Sequence, residues 1–198
     1  MQLIKVNLSK ISKKEIGIIS DFLRKGKVII YPTDTIYGIG CLADNKKAIR
    51  RIFKIKQKDK NKPLLVLAGS LARAKKYCRI GKKQADYVKK IWPGPVSVIL
   101  ESRGVLPEAL TGNKKGAGLG IRLPKNDFLI KILKSVKTPI VSTSANMSGG
   151  DPIYDPKYLD KCFKKEKPDL MVDGGVLKGK ASKLVDLRDM DNIKILRK

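Results

Sequence analysis

KVIIYPTDTIYGIGCL, residues 27–42, holds the clearest passage from a strand into a polar site anywhere in the chain. Val28-Ile29-Ile30-Tyr31 is short, apolar and rich in β-branching, which marks a buried strand. Pro32 ends regular pairing because it has no N–H to give a neighbour. Thr33-Asp34-Thr35-Ile36-Tyr37-Gly38-Ile39-Gly40 follows, with packed hydroxyls, one carboxylate and glycines. An α/β protein commonly builds a binding crevice from such a strand end. The plainer alternative is a strand-to-turn connection in which Thr33 and Thr35 tie up backbone groups.

A chain of 198 residues can bury a full core, and one compact domain over 1–198 is expected. Forty-four Lys and Arg against eighteen Asp and Glu give a formal charge of +26, a field that attracts polyanions. Histidine is absent, which excludes a Ser-His-Asp triad and the commoner zinc sites. Cys41, Cys78 and Cys162 stand too far apart for a disulfide framework or a CxxC metal site, so no protein-held metal is expected. Lacking a signal-like segment or a run long enough to span a bilayer, the chain reads as cytoplasmic, with no membrane partner.

Outward from the opening stretch, strands and helices mix throughout. Leu3–Val6 is an expected strand. Ser12 and Glu15 form a capping box for a helix with Ile16, Ile19, Phe22 and Leu23 inward and Gly26 at its stop. Asp44 or Asn45 caps a second helix carrying Ala48, Ile49, Ile52 and Phe53. Lysines 54, 56, 58, 60 and 62 then alternate with other residues, and an extended segment would set all five ammoniums on one side. Residues 63–67 read as a strand, 70–77 and 81–92 as helices with Trp92 a core anchor, and 96–100 as a strand. The segment 106–115 has turn chemistry only. Gly116–Gly120 matches neither dinucleotide nor P-loop motifs; its glycines let a strand approach a ligand or another strand closely. A helix spans Asp127–Val136. Pro139-Ile140-Val141 is a strand running into a second polar loop, Ser142–Gly150, which could face the first across a crevice. Asp155 and Pro156 open a short helix to about Lys164. Strands at 170–175, 183–186 and 193–196 complete an α/β domain around one sheet.

Several pieces together carry a specific resemblance: YPTDTIYGIG at 31–40, IFKIKQKDKNKPLLVL at 52–67, WPGPVSVIL at 92–100, GLGIRLP at 118–124, VSTSANMSG at 141–149, and DGG followed by ASKLVD at 181–186. The chain resembles the YrdC-like family, the L-threonylcarbamoyladenylate synthases of tRNA modification, over nearly its whole length. That resemblance implies a single-domain α/β fold: a twisted mixed parallel and antiparallel sheet flanked by helices, with a concave basic face. It also implies a reaction in which L-threonine, bicarbonate and ATP give threonylcarbamoyl-AMP and pyrophosphate. A tRNA threonylcarbamoyl transferase complex then moves the group to adenosine at position 37 of certain tRNAs. Longer members carry an additional C-terminal domain, for which 198 residues leave no room.

Carried over residue by residue, Lys56 matches the family's lysine, while Lys58 stands where arginine is usual and gives up a bidentate fork. Arg122, Ser144 and Asn146 match their signatures. Ser182 matches the serine of a late serine-threonine pair, and Lys183 replaces the threonine. The resemblance and the residue types assign Lys56, Lys58 and Arg122 to charge stabilisation, assisted by Mg²⁺ on the phosphates of ATP. Thr33, Thr35 and Tyr37 fall on the threonine side. Ser142, Ser144, Asn146 and Ser182 offer small hydrogen-bonding groups for carbamate, phosphates or ribose. A strand-end role for Ser142 and Thr143 is equally open. Pro63 and Leu65 line the adenine side. Two rivals remain: a tRNA- or double-stranded-RNA-binding module without chemistry, and a related carbamoyl-transfer enzyme. The first fits poorly, because aromatics are 6% of the chain and none lies within 54–62. Direct tRNA contact is kept as a secondary role.

Overall fold

The computed structural model describes every residue except Lys115 and Lys164. Strand β2 (Ile29–Tyr31) is buried throughout and turns back as β3 (Gly38–Gly40), pairing antiparallel with Ile30 opposite Ile39. The segment after Pro32 is thus the bend of a tight hairpin rather than a free loop.

The other strands are β1 (Gln2–Lys5), β4 (Leu65–Leu67), β5 (Val96–Glu101), β6 (Gly118–Arg122), β7 (Ile140–Ser144), β8 (Leu170–Asp173), β9 (Lys183–Asp186) and β10 (Lys194–Arg197). They join in one mixed sheet in the order β1-β8-β2-β3-β7-β4-β6-β5-β9-β10. The pairs β1–β8, β2–β8, β4–β6 and β5–β9 are parallel and the remainder antiparallel. The fold class is the mixed, helix-flanked α/β sheet that the sequence implies.

Period-two geometry divides the strand side chains between two cores. On β2, Ile30 enters one cluster while Ile29 and Tyr31 enter the other; on β4, Val66 parts from Leu67 in the same way. Helices α2 (Lys46–Lys56), α4 (Lys82–Ile91) and α6 (Leu159–Cys162), with the shorter α3 (Leu71–Tyr77), contribute to the first cluster. Helices α1 (Lys13–Arg24) and α5 (Asp127–Val136) build the second, through Ile19, Leu23, Phe128, Leu129 and Ile132. Each fully buried aliphatic side chain contributes roughly 1.5–3 kcal/mol.

Local chemistry places the helix starts. Ser12 and Glu15 form the complete capping box, and Asn45, Ser70 and Asn126 each accept a backbone N–H of the first turn. Trp92 is buried, with its indole N–H on the Val96 carbonyl at 2.7 Å. Asp155 accepts from the Lys157 N–H, but the helix it was expected to open is a 3-10 turn (Pro156–Tyr158) followed by α6; the expected end near Lys164 lies outside the described residues.

The one-sided lysine ribbon is not present. Helix α2 runs through Lys56 and ends where Gln57 takes a left-handed conformation, φ 49°. Lys54 is exposed, Lys56 buried and Lys58 half-buried, so the ammoniums point different ways. The buried Ile52, Phe53 and Ile55 keep the helical period running past the point where the lysines begin to alternate.

On the sheet face that carries α1 and α5, these helices cover only the half built on β1, β8, β2 and β4. Beyond them the inward-pointing Ile99, Gly118, Gly120 and Leu184 of β5, β6 and β9 form an open floor. That floor is the candidate functional site.

Candidate active site

The crevice over this floor encloses about 330 Å³. It takes its walls from the β2–β3 bend, the end of β7, the segment after α2, and the chain entering β9. Among the described residues that line it, no Asp or Glu occurs, whereas Lys58, Arg122 and Arg197 all do. The site is positive at close range.

Thr33 and Thr35 are both 5% exposed, with their hydroxyls 2.8 Å apart. Thr33 Oγ1 lies 2.7 Å from the Ile36 carbonyl, which can only accept, so Thr33 spends its one hydrogen there. It accepts in turn from the Thr35 and Ile36 amides. With both Thr33 lone pairs taken by these amides, the Thr35 hydroxyl is not committed to Thr33 and can accept or donate at the crevice it lines. Thr33 fulfils the turn-tying role, and Thr35 presents a hydroxyl.

Tyr37 contributes its ring. Its hydroxyl donates to the Gly175 carbonyl at 2.7 Å and accepts from the Gly174 N–H at 3.0 Å, and burial pushes its pKa up to about 12. This pair of bonds ties the β2–β3 bend to the segment between β8 and β9. Gly179 of that segment packs so closely that a Cβ there would lie 2.3 Å from the Thr35 carbonyl oxygen.

Ser142 and Ser144 stand on β7 itself, which extends three residues past the expected Val141, and both point into the crevice. Gly38 pairs directly with Ser144, so the two polar segments lie side by side in the sheet and do not face one another across a gap. Asn146 also lines the site, but its amide closes a turn onto the Gly150 carbonyl.

Arg122 is 3% exposed and bonded to Asp34 at 2.9 Å, and Asp34 further accepts from the Lys125 N–H. The Nε of Arg122 is buried without a partner among the described residues. Lys58 enters from beyond α2, its ammonium 3.2 Å from the Pro63 carbonyl; burial and then the charge of Lys62 lower its pKa. Pro63 and Leu65 line the same wall. Lys56 does not line the crevice. Its ammonium lies behind the wall, bonded to the Ser144 and Asn146 carbonyls, and burial, then Lys58, lower its pKa to about 8.

Ser182 is 9% exposed and lines the far wall, where Arg197 grips it: Nε donates to the Ser182 carbonyl at 2.8 Å and Nη2 to its hydroxyl at 3.1 Å. Arg197 is the cation that the sequence alone did not point to, its expected strand ending one residue earlier at Leu196. The pairing of Arg197 with Leu184 puts it on the crevice face, and burial, then the charge of Arg122, lower its pKa. A strand continued by one residue, ending on an arginine, was the available signal.

A family model described as "Telomere recombination", covering Sua5, YciO and YrdC, matches residues 21–198. The threonylcarbamoyl-AMP synthase of Pyrococcus abyssi is 29% identical over 182 residues, 91% of this chain. The chain spans about half of that relative's length, 53%. A putative threonylcarbamoyl-AMP synthase of Methanocaldococcus jannaschii is 31% identical over 189 residues, 93% of this chain and 87% of its own. The crystal structure of Pyrococcus abyssi Sua5 complexed with L-threonine superposes with a TM-score of 0.86 at 28% identity, covering 94% of this chain and 54% of that one. With the family model and this relative matching nearly the whole chain, the protein belongs to the Sua5–YciO–YrdC family.

Proposed function

We propose that this chain condenses L-threonine, bicarbonate and ATP into threonylcarbamoyl-AMP and pyrophosphate. The observation that carries the reading is the convergence, in one crevice without a lining carboxylate among the described residues, of the Thr35 hydroxyl with Lys58, Arg122 and Arg197. The names of the relatives and the threonine held by Pyrococcus abyssi Sua5 support it.

In this reading Thr35 accepts a hydrogen from threonine's amine or hydroxyl, with the Tyr37 ring closing that end. The unprotonated amine attacks the carbon of bicarbonate, and water leaves to give a carbamate. A carbamate oxygen then attacks the α-phosphorus, and the bond to pyrophosphate breaks. Nothing in this sequence of steps requires a histidine. What it requires is alignment, and cations set against charge that grows on phosphate oxygens. Lys58, Arg122 and Arg197 supply those cations. Ser142, Ser144 and Ser182 position oxygens, Pro63 and Leu65 contact adenine, and Lys56 and Asn146 hold the β7 wall.

The donor set does not fit a resident metal ion. No cluster of three or more potential ligands occurs among the described residues, and Asp34 is engaged by Arg122. Magnesium therefore enters this reading as part of the nucleotide substrate. The product passes to a transferase complex acting on tRNA in the cytoplasm, and the charge of +26 supports tRNA contact as a secondary role.

Purified protein is incubated with ATP, bicarbonate and labelled threonine, and pyrophosphate and the acyl-adenylate are measured. Release that depends on threonine and bicarbonate is expected, with valine, which lacks the hydroxyl, slower by orders of magnitude. Absence of the adenylate, or equal rates with valine, overturns the reading.

A further inference from the structure

Ser97 lies on β5, directly beneath the crevice wall, fully buried at 0% exposure. Its hydroxyl is 2.9 Å from that of Ser182, the one hydrogen-bond partner it has among the described residues. The hydrogens of this pair can be counted. A buried hydroxyl that fails to donate leaves its hydrogen unsatisfied, and Ser182 Oγ is the acceptor within reach of Ser97. Ser182 Oγ also accepts from Arg197 Nη2 at 3.1 Å. With Ser97 on one lone pair and Arg197 on the other, Ser182 has no accepting capacity left. Its own hydrogen is free, and Ser182 lines the crevice.

We infer that Ser97 is a positioning residue: by donating to Ser182 it commits the Ser182 hydroxyl to donate into the crevice, where it selects an anionic substrate oxygen. A carboxylate or phosphate oxygen of a substrate is favoured at this wall over a group that offers only hydrogens, because Ser182 can donate there and has no lone pair left to accept. The inference rests on the proposed function for its substrates, and on hydrogen-bond geometry for the hydrogens.

Neutron diffraction from the deuterated protein without ligand reads the geometry alone. The Ser97 deuteron is expected on the line to Ser182 and the Ser182 deuteron away from Ser97; a Ser182 deuteron aimed at Ser97 overturns the inference whether or not the protein is active. Kinetics read the consequence. Ser97→Ala is expected to raise one KM about 3–10-fold with kcat little changed, the scale of one ordinary hydrogen bond. Titrating threonine and ATP separately tells a carboxylate oxygen from a phosphate oxygen. Ser97→Thr, which keeps the hydroxyl, is expected to restore that KM. In a Ser182→Ala background the same Ser97→Ala change is expected to cost less than about two-fold. Equal costs in both backgrounds, or no change in either KM, overturn the inference. Should Ser97→Ala not fold, the neutron map and the Ser97→Thr kinetics still decide. A wild type that releases no pyrophosphate refutes the proposed function, and the deuteron positions then decide the role of Ser97 by themselves.

Discussion

The ammonium of Lys56, the last residue of α2, donates to the carbonyl of Asn146 and joins that helix to the turn following β7. A second bond reaches the Ser144 carbonyl, so one buried charge anchors the wall on which Ser142 and Ser144 stand. Lys56→Met removes both bonds. It strands two buried carbonyls but also removes the cost of burying the ammonium. Near neutral pH the loss of stability is therefore expected to be less than the roughly 1.5–3 kcal/mol of charged hydrogen bonds, while substrate binding weakens through a loosened wall. Denaturant unfolding and KM measurements check this. A variant with wild-type KM values would show that the two bonds do not hold the wall.

The same lysine carries a pH signature. Its folded pKa of about 8 lies below the ordinary 10.5, so between these values the unfolded chain binds the proton more readily than the folded one. The cost of burying the ammonium is fully present below pH 8 and fades as pH rises towards 10.5. Stability of the wild type relative to Lys56→Met is therefore expected to increase across that window, by on the order of 1 kcal/mol per pH unit at most. Parallel unfolding curves at several pH values measure it. A flat or falling difference refutes the assignment.

Asp34 and Arg122 form a buried pair, with exposures of 10% and 3%. Asp34→Ala is expected to lower stability by roughly 3–5 kcal/mol, because it strands a guanidinium whose Nε already lacks a partner. Replacing both residues with apolar ones is expected to recover much of that stability but no activity. Paired calorimetry and pyrophosphate assays separate the two effects.

Two glycines at the crevice are expected to respond in opposite ways. A methyl at Gly179 meets the Thr35 backbone at 2.3 Å, which cannot move aside, so Gly179→Ala displaces the segment leading to Ser182 and lowers both stability and activity. At Gly120 the nearest atom is a Leu65 carbon at 3.7 Å, an ordinary contact. Gly120→Ala is expected to keep the wild-type melting temperature and to raise KM by occupying the floor. Loss of stability in both variants would mean that the floor is packed rather than open.

Arg197 lies on an edge strand and is partly exposed, so Arg197→Ala is expected to leave the melting temperature within about 2 °C of wild type. Its loss should cut kcat/KM for ATP at least about ten-fold, as expected for one charge-assisted contact. Lys58→Arg is expected to be nearly neutral beside it, since Lys58 acts here by charge and Arg197 already offers a planar fork. If Arg197→Ala keeps full activity, the residue holds Ser182 and does not reach substrate.

Most elements and most of the crevice residues were legible because their causes are local. Ser12, Asn45 and Ser70 cap helices a few residues ahead of the turns they satisfy, and Ile29, Ile30 and Tyr31 alternate between the two cores at strand spacing. The lysine run misled because two periods overlap at Lys54–Lys56, and burial of Ile55 resolved them in favour of the helix.

By themselves, the residues of this chain determine a mixed α/β sheet with a polar strand end, a basic character and no histidine, together with the motifs of its family. Tertiary structure decided which strands are neighbours, which lysine faces the crevice and which lies behind it, and where hydroxyl hydrogens point. Ser97 and Ser182 are 85 residues apart, and Arg122 and Asp34 are 88 apart. Such partners are chosen when the sheet closes, because hydrogen bonding and charge pairing depend on distance in space, which no local spacing in the sequence encodes.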